Sequence, residues 1–270
     1  MKKTVQIFLS LFLISCSENL FDEIANKDTS EAIYFQAKQE INARDYAAAI
    51  VLLESLSPAY LAVRERIPIY ASAYSGRCGL EFLTLLTSLQ NLGTSTVLGS
   101  LMGSFPGALA ANVQDCINAE TILEGIGNES TRNGDENLLM SFNGLAKIGT
   151  ILSSLADIDD DGVADATFDQ CNATDLPELM VRELGASIAV TLLSLSAVGT
   201  SYVDGALADV TALCALNPNL NVFCTSTDPT SFAAAEVQAL RYAIGSNDFG
   251  INSCGNNDFT NCATANPACP

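Results

Sequence analysis

Nine cysteines and no histidine set the first limits on this 270-residue chain. Eight of the cysteines (Cys78, Cys116, Cys171, Cys214, Cys224, Cys254, Cys262 and Cys269) are spread from residue 78 to the end, and Cys16 stands alone near the start. Cys16 closes a segment that reads as a targeting sequence. Lys2 and Lys3 form a short basic stretch and Val5 to Ile14 an apolar run, too short to cross about 30 Å of hydrocarbon as a helix. An exported chain folds in an oxidising compartment, so with Cys16 set apart the even remainder predicts four disulfides. Sequence singles out one local pair, Cys214 with Cys224, because the two bracket the turn-forming Asn217-Pro218-Asn219. A zinc-thiolate site is disfavoured, since there is no CxxC spacing and no histidine to complete one.

The ending Leu13-Ile14-Ser15-Cys16 resembles the lipobox of bacterial lipoproteins. The resemblance implies removal of residues 1–15 as a signal peptide and transfer of a diacylglyceryl group to the Cys16 thiol. Residues 16–29 are then a lipidated tether. Each buried CH₂ contributes about 0.8 kcal/mol, so one acyl chain holds a protein marginally and two or more hold it stably. Ser17 follows the cysteine, where the enterobacterial pattern places Asp for inner-membrane retention. By that analogy the expected address is the outer membrane, with the soluble domain outside the cytoplasm.

Removing residues 1–15 takes away two lysines and no acid, which moves the formal charge from −19 to −21. Such a chain offers no basic footprint for nucleic acid and is repelled by anionic headgroups. Attachment to the bilayer therefore rests on the acyl chains. At 49% hydrophobic and 16% charged, the sequence is too apolar to be disordered throughout. Without histidine, Ser-His-Asp and Cys-His catalysis are excluded, and no phosphate-binding glycine motif occurs at a strand-to-helix turn. Acid pairs such as Asp135 with Glu136, or Glu178 with Glu183, read as solvated helix surface. The expectation is a non-catalytic chain.

Apolar spacing predicts an all-α fold. Thr29 or Ser30 can cap a helix carrying Ala32, Ile33, Phe35, Ala37 and Ile41. After a turn at Asn42-Ala43-Arg44-Asp45, a second helix carries Tyr46, Ala49, Ile50, Leu53 and Leu56, ending at Ser57-Pro58. This hairpin resembles a tetratricopeptide repeat: Ala37 falls at the small position of its first helix, and Tyr46, Ala49 and Leu53 at the aromatic, small and large apolar positions of its second. Tyr70 to Gly76 can open a further repeat, although stable arrays need about three. Further apolar stretches predict helices over 80–92, 97–125 (broken near Phe105-Pro106-Gly107), 137–156, 176–203 and 233–245. Ala186 to Val198 reads as a buried core helix, being shorter than the ~20 residues a span requires. The overall expectation is a helical-hairpin array or an irregular helical bundle over 30–245. Residues 246–270 follow as a Cys/Asn-rich tail with little to bury, held by disulfides.

Residues 157–169, DIDDDGVADATFD, carry the one motif with chemistry in it. Calcium takes six to eight oxygens, which a loop can supply from positions 1, 3, 5, 7 and 9, with glycine at 6 for the sharp turn. Here these are Asp157, Asp159, Asp161, the Val163 carbonyl and Asp165, with Gly162 at position 6. The spacing resembles EF-hand, dockerin and thrombospondin type 3 calcium loops, and the D-G-V-x-D ending is most similar to the last. Position 12 departs from the EF-hand, being Phe168 in place of Glu, which points to a weak site in the range of about 10⁻⁴–10⁻³ M. Asp175-Leu176-Pro177-Glu178 reads as a capping box for the next helix. A structural calcium is expected, pinning two helices.

The function these features favour is an anchored helical scaffold that binds a protein partner whose identity the residues do not name. The alternative is a small-molecule binding module associated with a membrane transporter, as among helix-rich lipoproteins similar to tetratricopeptide proteins.

Overall fold

Thr29 accepts a hydrogen bond from the Ala32 N–H and starts α1 (Ser30–Asn42). The computed structural model describes residues 28–90, 96–199, 204–267 and 269–270. The signal segment, Cys16 and the tether up to residue 27 lie outside them. Arg44 takes a left-handed conformation, φ 63°, and turns the chain into α2 (Tyr46–Glu54), which Asp45 caps. The faces buried in this hairpin are Ala37 on α1 and Ala49, Ile50 and Leu53 on α2, with Leu56 just beyond. Phe35, expected on the buried stripe, is 61% exposed, because it points away from α2.

A one-turn α3 (Pro58–Leu61) leads to α4 (Ile67–Cys78). Gly79 ends α4 at φ 107°, a left-handed cap that suits glycine. Tyr70 to Gly76 lies within α4 and does not open a second hairpin. α4 packs on α7 (Ala110–Glu124) instead, with α5 (Phe82–Gln90) and α6 (Val97–Met102) between them in sequence. The fold is therefore all-α and an irregular bundle beyond its first hairpin, with no strand among the described residues.

The centre is α8 (Gly134–Ala156) against α9 (Glu178–Val198). The two run antiparallel, since Ser141 meets Thr191 while Lys147 meets Glu183. Their close approach needs Gly144, where a Cβ would lie 2.6 Å from Thr191 Oγ1. Both helices are long and apolar enough to cross a membrane, yet most of each is buried by the rest of the protein. Asn133 and Glu136 cap α8 reciprocally, each side chain accepting from the other's backbone N–H. The box expected before α9 is absent. Pro177 stands at the N-cap without a side-chain bond, and the Asp175 carboxylate instead accepts from the Asp169 N–H.

Three further helices complete the chain: α10 (Asp204–Leu216), α11 (Ala234–Gly245) and α12 (Phe259–Ala265). The eight cysteines from residue 78 onward form four disulfides. Cys78–Cys116 joins α4 to α7, and Cys214–Cys224 joins α10 to the 3-10 segment Pro218–Cys224. Cys171–Cys269 ties the loop before α9 to the C-terminus, and Cys254–Cys262 closes the tail on α12. The tail is more than a stapled coil, since Phe249, Ile251 and Phe259 are buried in the main core. Arg241, 1% exposed, donates to the Gln170 and Leu176 carbonyls and holds the 170–176 loop against α11.

Candidate metal centre

The acidic loop leaves the C-terminus of α8 at Asp157, which is 1% exposed. Asp157 Oδ1 accepts from the Asp161 N–H at 3.0 Å and Oδ2 from the Gly162 N–H at 3.1 Å. Those two bonds curl the loop back on its first residue. Gly162, at φ 83°, takes the left-handed conformation that the sixth position requires. Asp160 is also left-handed, φ 62°, which a short carboxylate side chain tolerates. It reaches across to accept from the Gly107 N–H at 2.5 Å, fastening the loop to the segment between α6 and α7. That anchoring role was not legible in the D-x-D-x-D spacing, where Asp160 is a spacer.

Of the predicted ligands the structure brings three together. One carboxylate oxygen from each of Asp157, Asp159 and Asp161 lies within 4.8 Å of the others. Asp165 stands outside this group. Its Oδ2 accepts from the Ile158 N–H at 3.0 Å and its own N–H donates to the Ala156 carbonyl, so it closes the base of the loop. Val163 donates its N–H to Asp161 Oδ1 at 2.8 Å, and its side chain is exposed. Phe168, at position 12, is buried in the main core. The residue that spoils the EF-hand pattern is thus a packing residue that seats the loop's exit.

Burial pushes the Asp157 carboxyl up from its ordinary value; the Gly162 and Asp161 N–H donors pull it down, and the neighbouring Asp161 and Asp159 charges push it up again. Among the described residues no lysine or arginine forms an ion pair with Asp157, Asp159 or Asp161. Each carboxylate oxygen that accepts one N–H keeps a second lone pair, so the donor set suits a hard divalent cation bound by oxygen. The three clustered carboxylates could hold a metal ion.

Two other charged groupings went unread in the sequence. Glu183 and Glu136 are interior and not solvated helix surface: Glu183 pairs with Lys147 at 2.9 Å, and Glu136 with Arg64 at 2.7 Å. Glu178 is exposed and pairs with Arg182 one turn on. A lysine midway along an apolar helix was the available signal for the first. Nothing local announces Arg64, which lies 72 residues from its partner.

Four disulfides in one domain indicate an oxidising, extracytoplasmic location. Comparison with protein-family models, curated proteins and solved structures found no match.

Proposed function

We propose that this chain is an envelope-anchored lipoprotein whose helical domain is a non-catalytic scaffold for a protein partner, with Asp157, Asp159 and Asp161 holding a structural calcium. The observation that carries the reading is the cysteine arithmetic. The eight cysteines of the folded domain pair among themselves. The ninth, Cys16, is the one at the end of the lipobox-like segment. Its thiol is then available to the acyl group, and the polar residues after it reach to Thr29, where α1 begins. The outer membrane is the favoured address on the strength of Ser17. The calcium loop supports the scaffold by joining α8 to the chain entering α9, and its role there is to hold geometry.

The test is metabolic labelling with radioactive palmitate in a bacterial host making the full chain. Label is expected on the wild type and not on Cys16→Ser, which should accumulate with residues 1–15 still attached. A wild-type chain that is cleaved, unlabelled and released from membranes would overturn the anchor.

A further inference from the structure

Two open hollows meet on the face of the bundle where α4 and α8 lie side by side. One has a volume of about 340 Å³ and the other about 530 Å³, and they share Ser72, Asp135 and Leu139 on their linings. Together they form one continuous groove. Its lining advances along both helices in the same sense, from Pro68 and Asp135 at one end to Leu80 and Phe142 at the other. At 1.5 Å per residue the twelve residues of α4 give a length of about 18 Å, which matches roughly five residues of extended chain at about 3.3 Å each.

The two ends differ in chemistry. At the Phe142 end Ile41, Leu80, Leu138 and Phe142 make the wall mainly apolar, and Phe82 lies edge-on to Phe142 with ring centroids 4.5 Å apart. Phe82 remains 44% exposed, an aromatic edge left open to a further apolar group. At the other end four charged residues face the groove: Arg64, Glu65, Asp135 and Glu136. Arg64 and Glu136 neutralise each other through two hydrogen bonds of 3.0 and 2.7 Å. Glu65 and Asp135 make no ion pair or side-chain hydrogen bond with any described residue, and both are exposed. The charged end therefore sets three carboxylates against one guanidinium and is net negative, on a chain that is already strongly acidic.

We propose that this groove docks an extended peptide segment of a partner protein, with a basic side chain against Glu65 and Asp135 and an aromatic or branched apolar side chain against Phe82 a few residues away. The proposal rests on the scaffold reading and names the surface and the partner chemistry. Charge complementarity selects a cation at the acidic end, and the exposed aromatic selects an apolar anchor at the other. A small molecule is the poorer fit, since a site for one encloses most of its ligand whereas this groove is open along its length.

The experiment is to pan a random heptapeptide display library against the processed chain held in detergent micelles. Glu65→Gln/Asp135→Asn and Phe82→Ala serve as counter-selections, their melting temperatures checked against wild type. Enriched peptides are expected to carry Lys or Arg two to four positions from an aromatic or branched residue. They should bind the Glu65→Gln/Asp135→Asn variant about tenfold more weakly, the scale of one lost charge-assisted hydrogen bond, and should lose affinity in salt. No enrichment, enrichment without a basic residue, or equal binding to the variants overturns the groove. In-cell crosslinking separates this outcome from failure of the scaffold itself. A double variant that captures partners as well as wild type does sinks only the groove, and a wild type that captures none sinks the scaffold.

Discussion

Lys147 Nζ lies 2.5 Å from Glu120 Oε2 between α8 and α7, with the side chains 2% and 8% exposed. Glu183 of α9 closes on the same ammonium from the other side. One lysine thus joins the three central helices. Burial alone would lower its pKa, but the two carboxylates outweigh that and hold it above the ordinary lysine value. Because the folded value is the raised one, this contribution is complete below the unfolded lysine pKa. It is lost only as pH rises through the folded one, so the cluster stays charged at neutral pH. Lys147→Ala strands two interior carboxylates and should cost about 3–5 kcal/mol in urea unfolding. Replacing all three residues by methionine should recover most of that loss, because matched apolar groups avoid the desolvation cost. A triple variant no more stable than Lys147→Ala would show that the ion pairs are worth more than the packing they displace.

Glu136 supplies an acid-sensitive contact of the opposite sign. The Arg64 hydrogen bond holds its carboxyl below the ordinary value; burial opposes this, and the Asn133 N–H assists it. A depressed carboxyl stabilises the fold above the unfolded pKa, and that stabilisation is lost as pH falls through the folded value. Glu136→Gln should therefore melt below wild type at pH 7, and the gap should close progressively below about pH 4. Urea melts at a series of pH values read this directly. A gap independent of pH would assign the whole loss to capping and packing.

The disulfides differ in what they close. Cys171–Cys269 joins residues 98 apart, and Cys254–Cys262 residues 8 apart. Loop-closure entropy assigns about 4–5 kcal/mol to the first and about 2.5 kcal/mol to the second. Paired serine substitutions at 171 and 269 should thus lower stability by about 2 kcal/mol more than the pair at 254 and 262. Equal losses would mean that native packing of the tail, through Phe249, Ile251 and Phe259, dominates over chain closure.

Local signals in the sequence carried much of the fold, and contacts between distant segments account for what they missed. Thr29 as a cap and Ala49, Ile50 and Leu53 as a buried face were legible because a helix fixes which residues share a side. Cys214–Cys224 was legible because a turn lies between its cysteines. Cys171–Cys269 was not, because only the packing of α11 and the tail brings those ends together. The capping role expected of Asp175 fails for the same reason: the path of the loop brings its carboxylate to the Asp169 N–H, and Pro177 takes the N-cap. The groove face of α4 was invisible, since Glu65 and Asp135 look like any solvated acids until α8 is laid beside α4.

The acidic loop offers the most direct metal test, because it is already closed by its own hydrogen bonds. The carboxylates of Asp157 and Asp165 together accept three backbone hydrogen bonds, from the N–H groups of Asp161, Gly162 and Ile158. Calcium bridging Asp157, Asp159 and Asp161 should add stability to a loop closed in this way. At an affinity of about 10⁻⁴–10⁻³ M, ten to a hundred times that concentration should contribute about 1.4–2.7 kcal/mol. For a domain of this size that is a rise of roughly 3–10 °C in melting temperature. Asp159→Ala removes an exposed ligand that makes no hydrogen bond in the loop, so it should abolish the rise while leaving the melt in EDTA unchanged or slightly higher as repulsion is relieved. Parallel melts of the oxidised protein in EDTA and in calcium raised to about 100 times the weaker affinity limit decide it. Identical curves for wild type would reduce the three carboxylates to a solvated turn fastened by Asp160 to Gly107.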